Sequence, residues 1–262
     1  MQLSFFKYQG TGNDFVMIDN RKPVRSAWQP AIVSKLCDRR FGIGADGLIL
    51  LQEHPDYDFQ MVYFNADGRE GSMCGNGGRC VVAFARFLGL IEDRCSFLAA
   101  DGPHEARIRA DQWVELQMSE VTDIEKGPDF YYLNTGSPHY ITFVPTIDAI
   151  DVVGKGRAVR YSDRFKQEGT NVNFVQTTSD GITVATYERG VEAETLSCGT
   201  GVTAAAIAYH QQYPSEANGS VKVQTKGGQL EVRFSVKETG YRDVWLCGLT
   251  QQVFKGNIDL KN

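Results

Sequence analysis

Cys74 and Cys198 each open a Cys-Gly-x-Gly turn, Cys74-Gly75-Asn76-Gly77 and Cys198-Gly199-Thr200-Gly201, 124 residues apart (198 − 74) in a chain of 262. An apolar stretch of helical character follows each turn. A helix start presents backbone N–H groups without intrahelical partners and a partial positive charge. A thiol placed there has its pKa drawn from roughly 8.5 towards neutrality, because the thiolate is favoured. The same N–H groups suit a carboxylate, and the glycines remove side chains that would block approach to the backbone. Each turn therefore joins an acid/base group to an anion hole. Two such turns facing each other would hold one carboxylate between helix ends and present a sulfur to each face of the adjacent carbon. One thiolate would remove the α-proton, the opposite thiol would deliver one, and the donors would hold the enediolate charge. That is chemistry that inverts a stereocentre.

The elements that must position such a pair repeat along the chain. The 124-residue interval relates Thr11-Gly12 to Thr135-Gly136, Tyr63 to Tyr187 and Leu51-Gln52 to Val175-Gln176, which predicts a duplicated half. Alternating apolar residues predict strands at Leu3–Tyr8, Phe15–Asp19, Leu48–Gln52, Phe59–Phe64, Ala106–Ala110 and Trp113–Met118. Pro30 near a first turn and Gly42 past the end frame a helix over Pro30–Arg40. A helix over Asn76–Leu88, with Cys80, Val81, Ala83, Phe84 and Phe87 apolar almost all round, reads as buried. The second half offers strands at Tyr140–Val144, Asn171–Gln176, Ile182–Tyr187, Val221–Gln224, Leu230–Val236 and Val244–Leu246, and a helix over Gly201–Tyr209. Each half is then several strands around one apolar helix. The boundary falls near Ser119–Val121, giving halves 1–118 and 119–250, with 251–262 adding a strand back onto the first.

Forty-two per cent hydrophobic and 23% charged residues describe an ordinary globular chain, and a net charge of −5 without a basic block argues against a nucleic-acid surface. The stretch Cys80–Ile91 is interrupted by Arg86 and is too short to span a bilayer. The amino terminus lacks the charged and apolar regions of a signal peptide. Six cysteines without a leader fit a reducing cytoplasm. Cys37, Cys80, Cys95 and Cys247 read as small buried hydrophobes. Gly42-Ile43-Gly44-Ala45-Asp46-Gly47 matches a dinucleotide fingerprint in letters only, because it follows a helix and opens a strand. No Cys-x-x-Cys, paired-His helix or Gly-Lys-Ser/Thr loop is present, so neither metal nor nucleotide is expected.

Eight blocks together resemble the diaminopimelate epimerase family: Gly10-Thr11-Gly12-Asn13-Asp14-Phe15, Arg40-Phe41-Gly42-Ile43-Gly44-Ala45-Asp46, Phe64-Asn65-Ala66-Asp67-Gly68, Cys74-Gly75-Asn76-Gly77-Gly78-Arg79-Cys80, Gly136-Ser137-Pro138-His139, Asn171-Val172-Asn173-Phe174, Tyr187-Glu188-Arg189-Gly190 and Cys198-Gly199-Thr200-Gly201. The resemblance implies an α+β fold of two pseudo-symmetric halves, each a curled mixed β-sheet around a central helix. It implies cofactor-independent interconversion of LL- and meso-diaminopimelate, with Cys74 and Cys198 as the acid/base pair and His139 and Glu188 setting their protonation. Backbone N–H groups of Gly75, Asn76, Gly199 and Thr200 would hold the reacting carboxylate. Asn13, Asn65, Asn171 and Arg189 would recognise the substrate, an arginine fork suiting its distal carboxylate. A homodimer and a place in lysine and peptidoglycan precursor synthesis are also implied.

Read without the resemblance, His139 serves equally well as a satisfied surface histidine, and Asn13 and Asn65 as turn residues bonding their own backbone. Arg189 gains weight as the counterpart of Asn65 under the 124-residue interval. Asp46-Gly47 and Asp67-Gly68 read as turns, and His104 as a loop residue. The chain departs from the family's common pattern at three places that bear on selectivity. Gly47 stands where many members have glutamine, Ser137 where asparagine is usual, and one extra residue separates Glu188 from Cys198. Two other readings stand beside this one: a proline or hydroxyproline racemase of the same fold, and a non-catalytic thiol redox or ligand-binding protein. A phenazine-type isomerase fits less well, since a carboxylate there takes the place of Cys74.

Overall fold

A computed structural model describes residues 2–23, 28–71, 73–214 and 218–260. The chain forms two compact units, Met1–Leu116 with Leu249–Asn262, and Gln117–Gly248. Lys261 and Asn262, the end of the expected C-terminal strand, lie outside the described residues.

In the first unit the strands are β1 (Gln2–Gly10), β2 (Asn13–Asp19), β3 (Gly47–Gln52), β4 (Phe59–Asn65), β5 (Arg94–Ala99), β6 (Gly102–Ile108) and β7 (Val114–Gln117). Successive neighbours pair antiparallel, except that β2–β3 and β4–β5 are parallel. The two parallel steps need crossovers, supplied by helices α1 (Pro30–Cys37) and α2 (Gly75–Phe87). In the second unit β8 (Ile124–Lys126), β9 (Tyr131–Asn134), β10 (Pro138–Phe143), β11 (Asn171–Thr178), β12 (Gly181–Glu188), β14 (Asn218–Thr225), β15 (Gly228–Lys237) and β16 (Gly240–Gly248) follow one another, with a short β13 (Ala193–Thr195) beside β12. The parallel steps are β10–β11 and β12–β14, crossed by α3 (Val152–Arg160) and α4 (Gly199–Gln212). β17 (Gln251–Asp259) pairs antiparallel with β1 as β8 does with β9. Strand for strand, β1–β7 and β9–β12 with β14–β16 share one topology, so the duplication is architectural.

The registers refine the interval. Phe15 lies opposite Gly47 and His139 opposite Asn171, both pairs 124 apart. In the next hairpin Ile49 faces Tyr63, whereas Asn173 faces Thr186. Thr186, not Tyr187, is therefore the counterpart of Tyr63, and Glu188, not Arg189, that of Asn65. The extra residue lies in the turn after Glu188. There Glu192 N–H donates to the Glu188 carbonyl at 2.8 Å and Glu188 pairs with Ala193.

Each sheet is covered on both faces. Val16, Ile18, Leu48 and Leu50 pack with Val33 and Leu36 of α1. The alternate residues Phe15 and Ile49 face α2, where a Cβ on Gly77 would sit 2.9 Å from Ile49 Cδ1. In the second unit Val172 and Phe174 face α3, while Val175 packs with Val202 and the alanines of α4. Strands β9 to β12 and β14 to β16 all touch α4, so the sheet curls around it. That enclosure explains its composition: Val202 and Ala204–Ala208 are fully buried, and small side chains let strands approach on every side. Cys37, Cys80, Cys95 and Cys247 are buried cysteines outside any disulfide. Among the described residues no helix is long and apolar enough to cross a membrane.

Several expectations need correction. α1 ends at Cys37 rather than Arg40, because the Leu36 and Cys37 carbonyls are taken by N–H groups of Ile43, Gly44 and Ala45 as the chain folds back. Phe87 is 53% exposed, so α2 is not buried all round. His104 lies in β6, with its ring stacked on Phe97 at 5.4 Å, rather than in a loop. Asp46 is more than a turn residue, since it pairs with Arg39 at 2.8 Å.

Gly68 shows how tightly the turn after β4 is seated. Its φ is +87°, and a Cβ would lie 2.0 Å from the Pro30 carbonyl oxygen at the start of α1. Gly68→Ala should lower stability to urea by at least about 1–3 kcal/mol through backbone strain and this clash. An unchanged midpoint would show that the turn is loose.

Candidate functional site

Both singled-out cysteines occupy the N-cap of a helix, with nearly the same extended backbone: φ −112°, ψ 118° at Cys74 and φ −118°, ψ 113° at Cys198. Their carbonyls accept the first helical bonds, from Gly78 and Val202. Gly75, Asn76 and Gly199 are buried in the first turns, and Thr200 is half-buried.

Around Cys74 the first unit gathers Asn13, Asn76 and Arg79. The Cys74 thiol donates to Asn13 Oδ1 at 3.5 Å, and Asn76 Nδ2 approaches the same oxygen at 3.5 Å. Asn13 Nδ2 donates to Asp46 Oδ2 at 2.6 Å. A carboxylate accepts only, so this bond fixes the amide with its oxygen towards the thiol. Asn13 thus bonds other segments rather than capping its own turn. Behind it, Arg39 bridges Asp14 and Asp46, and Lys7 pairs with Asp14 at 2.7 Å while also reaching the Gly44 carbonyl. Burial alone would raise the Asp14 carboxyl, but hydrogen bonds and charge from Arg39 and Lys7 overcome it and hold the group well below the usual carboxylate range. Arg79 is fully buried in α2 and donates to Asn76 Oδ1 at 2.9 Å, Thr11 Oγ1 at 3.2 Å and the Gly75 carbonyl at 3.3 Å. Asn65 ends β4, exposed, in a turn closed by Gly68 N–H on its carbonyl.

Gly47 has a structural explanation. A Cβ there would lie 2.5 Å from Tyr63 Cε2 and 2.6 Å from the Phe64 carbonyl oxygen. The Tyr63 ring occupies the room a longer side chain would need, and Gly71, 2.8 Å from the same ring by the same measure, closes its other side.

Around Cys198 the second unit gathers Thr200, Ser137, His139 and Asn171. Cys198 Sγ is 3.4 Å from Thr200 Oγ1, which is 2.9 Å from His139 Nε2 and 3.1 Å from Ser137 Oγ. Asn171 Nδ2 donates to Ser137 Oγ at 3.1 Å, and its Oδ1 accepts the Arg189 backbone N–H at 2.9 Å. Ser137 therefore bridges Asn171 to the histidine and threonine. Arg189 is exposed, and its guanidinium donates to the Glu168 carbonyl at 2.9 Å. Glu188 is half-buried at the end of β12. The turn that follows Glu188 is tied down by Glu192, which accepts from Tyr187 and Tyr161 hydroxyls and from Gly190 N–H.

His139 has no surface at all. Burial, helped by the Arg189 charge, pushes its pKa down to about 3, so the imidazole is neutral. Sequence reasoning did not single out Arg79, Asp46, Asn173 or Thr186 around the site. For Asn173 and Thr186 the available signal was a polar residue at an apolar-facing position of a strand; for Arg79, a charge within an otherwise apolar helix.

The solved structures define the class first. A phenazine-biosynthesis PhzF-family protein from Bacillus anthracis superposes with a TM-score of 0.78 at 14% identity, over 99% of this chain and all of that one. A hydroxyproline epimerase from Agrobacterium vitis, with trans-4-hydroxy-L-proline bound, gives 0.71 at 14% identity over 100% and 93%. The fold is theirs: two repeated halves, each a mixed sheet with few helices.

Within that class the chain belongs to the diaminopimelate epimerase family, whose model matches residues 5–124 and 131–243. The diaminopimelate epimerase of Flavobacterium psychrophilum is 47% identical over 257 residues, covering 98% of this chain and all of the relative.

The buried neutral histidine has a pH consequence. Below its unfolded pKa of about 6.5 the unfolded chain takes up a proton that folded His139 refuses. Stability is therefore lost as pH falls from there towards about 3. His139→Phe, the residue that Phe15 supplies in the first unit, should flatten the fall in urea midpoint between neutral and mildly acidic pH. An unaltered slope would mean that His139 is not held neutral.

Proposed function

We propose that this chain epimerises LL-2,6-diaminopimelate to the meso form by two-thiol acid/base catalysis, without a cofactor. The observation that carries the reading is the matched pair of cysteines at helix N-caps. Family membership and a relative of that name, similar along the whole chain, support the substrate. At each cysteine the helix start favours a thiolate and offers N–H groups of Gly75 and Asn76, or of Gly199 and Thr200, to a carboxylate. In this reading one thiolate takes the α-proton, the other thiol returns one to the opposite face, and the N–H groups carry the enediolate charge. His139, neutral, and Glu188 tune the thiols. Asn13, Asn65, Asn171 and Arg189 recognise the substrate, including its distal amino-acid centre. The protein works in the cytoplasm as a homodimer, in lysine and peptidoglycan precursor synthesis.

In deuterated water, turnover of LL-diaminopimelate should place deuterium at the α-carbon of the meso product. Cys74→Ala and Cys198→Ala should each cut kcat by at least about 10³-fold, and buried Cys95→Ala should be nearly silent. Isotope uptake into proline or hydroxyproline in place of diaminopimelate would transfer the activity to the racemase reading. A reversible dithiol midpoint without any uptake would point to a redox protein.

A further inference from the structure

Behind Cys198 the second unit buries a run of polar side chains where the first unit is largely apolar. The pairing registers make His139, Asn173 and Thr186 the counterparts of Phe15, Ile49 and Tyr63. His139, Asn173 and Thr186 are all buried. The same strand pairing forms in the first unit without them, so sheet formation does not require this chain. In stability alone, such a set of hydrogen bonds is nearly neutral against apolar groups of the same shape.

The hydrogen bonds fix the orientation of the Asn173 amide and, through it, the tautomer of a neutral His139. Asn173 Nδ2 lies 3.1 Å from the Tyr140 carbonyl, which can only accept, so that end of the amide is the NH₂ group. Its Oδ1 accepts from the Thr186 hydroxyl at 2.9 Å, consistent with that orientation. The same NH₂ lies 3.1 Å from His139 Nδ1, so Nδ1 accepts. In a neutral ring the proton then sits on Nε2, which faces Thr200 Oγ1 and Ser137 Oγ at 2.9 and 3.0 Å. With Nε2–H donating to Thr200, the threonine's own hydrogen can turn to Cys198 Sγ, 3.4 Å away. Ser137, which receives Asn171 Nδ2–H, donates in the same sense. The opposite tautomer would reverse the chain, because Nε2 would then accept the threonine hydrogen and take it from the sulfur.

Gly201 belongs to this arrangement. A Cβ there would fall 2.5 Å from Asn173 Oδ1 and 3.2 Å from His139 Cε1, so the last glycine of the second turn makes room for the amide and the ring.

We propose that Asn173 is a positioning residue: by donating to His139 Nδ1 it locks the imidazole as the Nε2–H tautomer and leaves the Thr200 hydroxyl to stabilise the Cys198 thiolate. It rests on the reading above only in taking Cys198 as a reacting thiol.

Nitrogen-15 NMR of histidine-labelled wild-type protein tests the lock directly, with no substrate. Nε2 of His139 should carry the proton and Nδ1 should not; the reverse assignment overturns the proposal whatever any variant does. In Asn173→Asp the carboxylate can only accept, so Nδ1 should become protonated; an Nδ1 that stays unprotonated beside the carboxylate would also overturn it. Asn173→Ile, the residue of the first unit, removes the donor without adding charge. In both variants, iodoacetamide near neutral pH should alkylate Cys198 about tenfold more slowly relative to Cys74, the worth of one hydrogen bond to a charged group. Epimerisation kcat should fall roughly 10- to 100-fold with KM little changed. An unchanged Cys198:Cys74 ratio in both variants refutes the link to the sulfur. If the tautomer and alkylation results hold while diaminopimelate is not turned over, the proposed reaction fails and the positioning role stands.

Discussion

Everything about this site depends on a helix whose first turn stays polar while its body is enclosed by a curled sheet. The sheet can close around α4 because Ala204, Ala205, Ala206 and Ala208 present little bulk, while Thr200, Ser137, His139 and Asn171 gather as polar groups at its amino-terminal end. A helix start inside such a wall keeps its partial positive charge poorly screened by water. A cysteine at the N-cap therefore experiences more of it than an exposed one would. The two caps share backbone angles to within a few degrees, so each unit places its cysteine at a helix start in the same way.

The supporting side chains show how the caps are held. Asn13 has one partner on each side, a carboxylate fixing its NH₂ and the Cys74 thiol at its oxygen. The carboxylate is oriented by Arg39, which also grips Asp14, itself paired with Lys7. Three segments, β1, β2 and the loop before β3, are thereby tied to one amide. On the other side, Asn171 Oδ1 is fixed by Arg189 N–H, which directs its NH₂ to Ser137. Each candidate amide is thus oriented by a partner whose donor or acceptor character is unambiguous.

Much of this architecture was visible in the letters. The two helices behind the Cys-Gly-x-Gly turns, read to within one or two residues of their starts, and the strands β1 to β4 follow from glycine-flanked turns and alternating apolar residues. α3 escaped notice because Gly154 and Gly156 each cost a helix about 1 kcal/mol relative to alanine. The structure supplies the compensation: Asp151 caps Gly154 N–H at 2.9 Å, and a Cβ on Gly156 would meet Tyr187 Cβ at 2.4 Å. The glycine is there for close packing on β12, a tertiary demand that local preference cannot express. The one-residue slip between Tyr63 and Thr186 was hidden for a related reason. Tyr63 and Tyr187 match by letter at 124, and only the pairing of Asn173 with Thr186 shows that the added residue falls after Glu188. His139 read equally as a surface group because its burial comes from the strands around α4, not from its neighbours in sequence.

Duplication preserved the frame and let the surroundings of each thiol diverge. At the fifth position after the cap Arg79 stands in α2 and Thr203 in α4. The first places a buried guanidinium against Asn76 and the Gly75 carbonyl; the second merely returns its hydroxyl to the Gly199 carbonyl at 3.0 Å. At the ring position facing each helix the relation reverses, with Phe15 in the first unit and neutral His139 in the second. A thiol near a fixed buried cation and one at the end of a hydroxyl–imidazole chain respond differently to the same environment. The cation acts through charge and tolerates small changes of angle. The neutral chain acts only through the direction of its protons. That difference explains why an amide as remote from the sulfur as Asn173 matters in the second unit, where the first unit manages with an isoleucine.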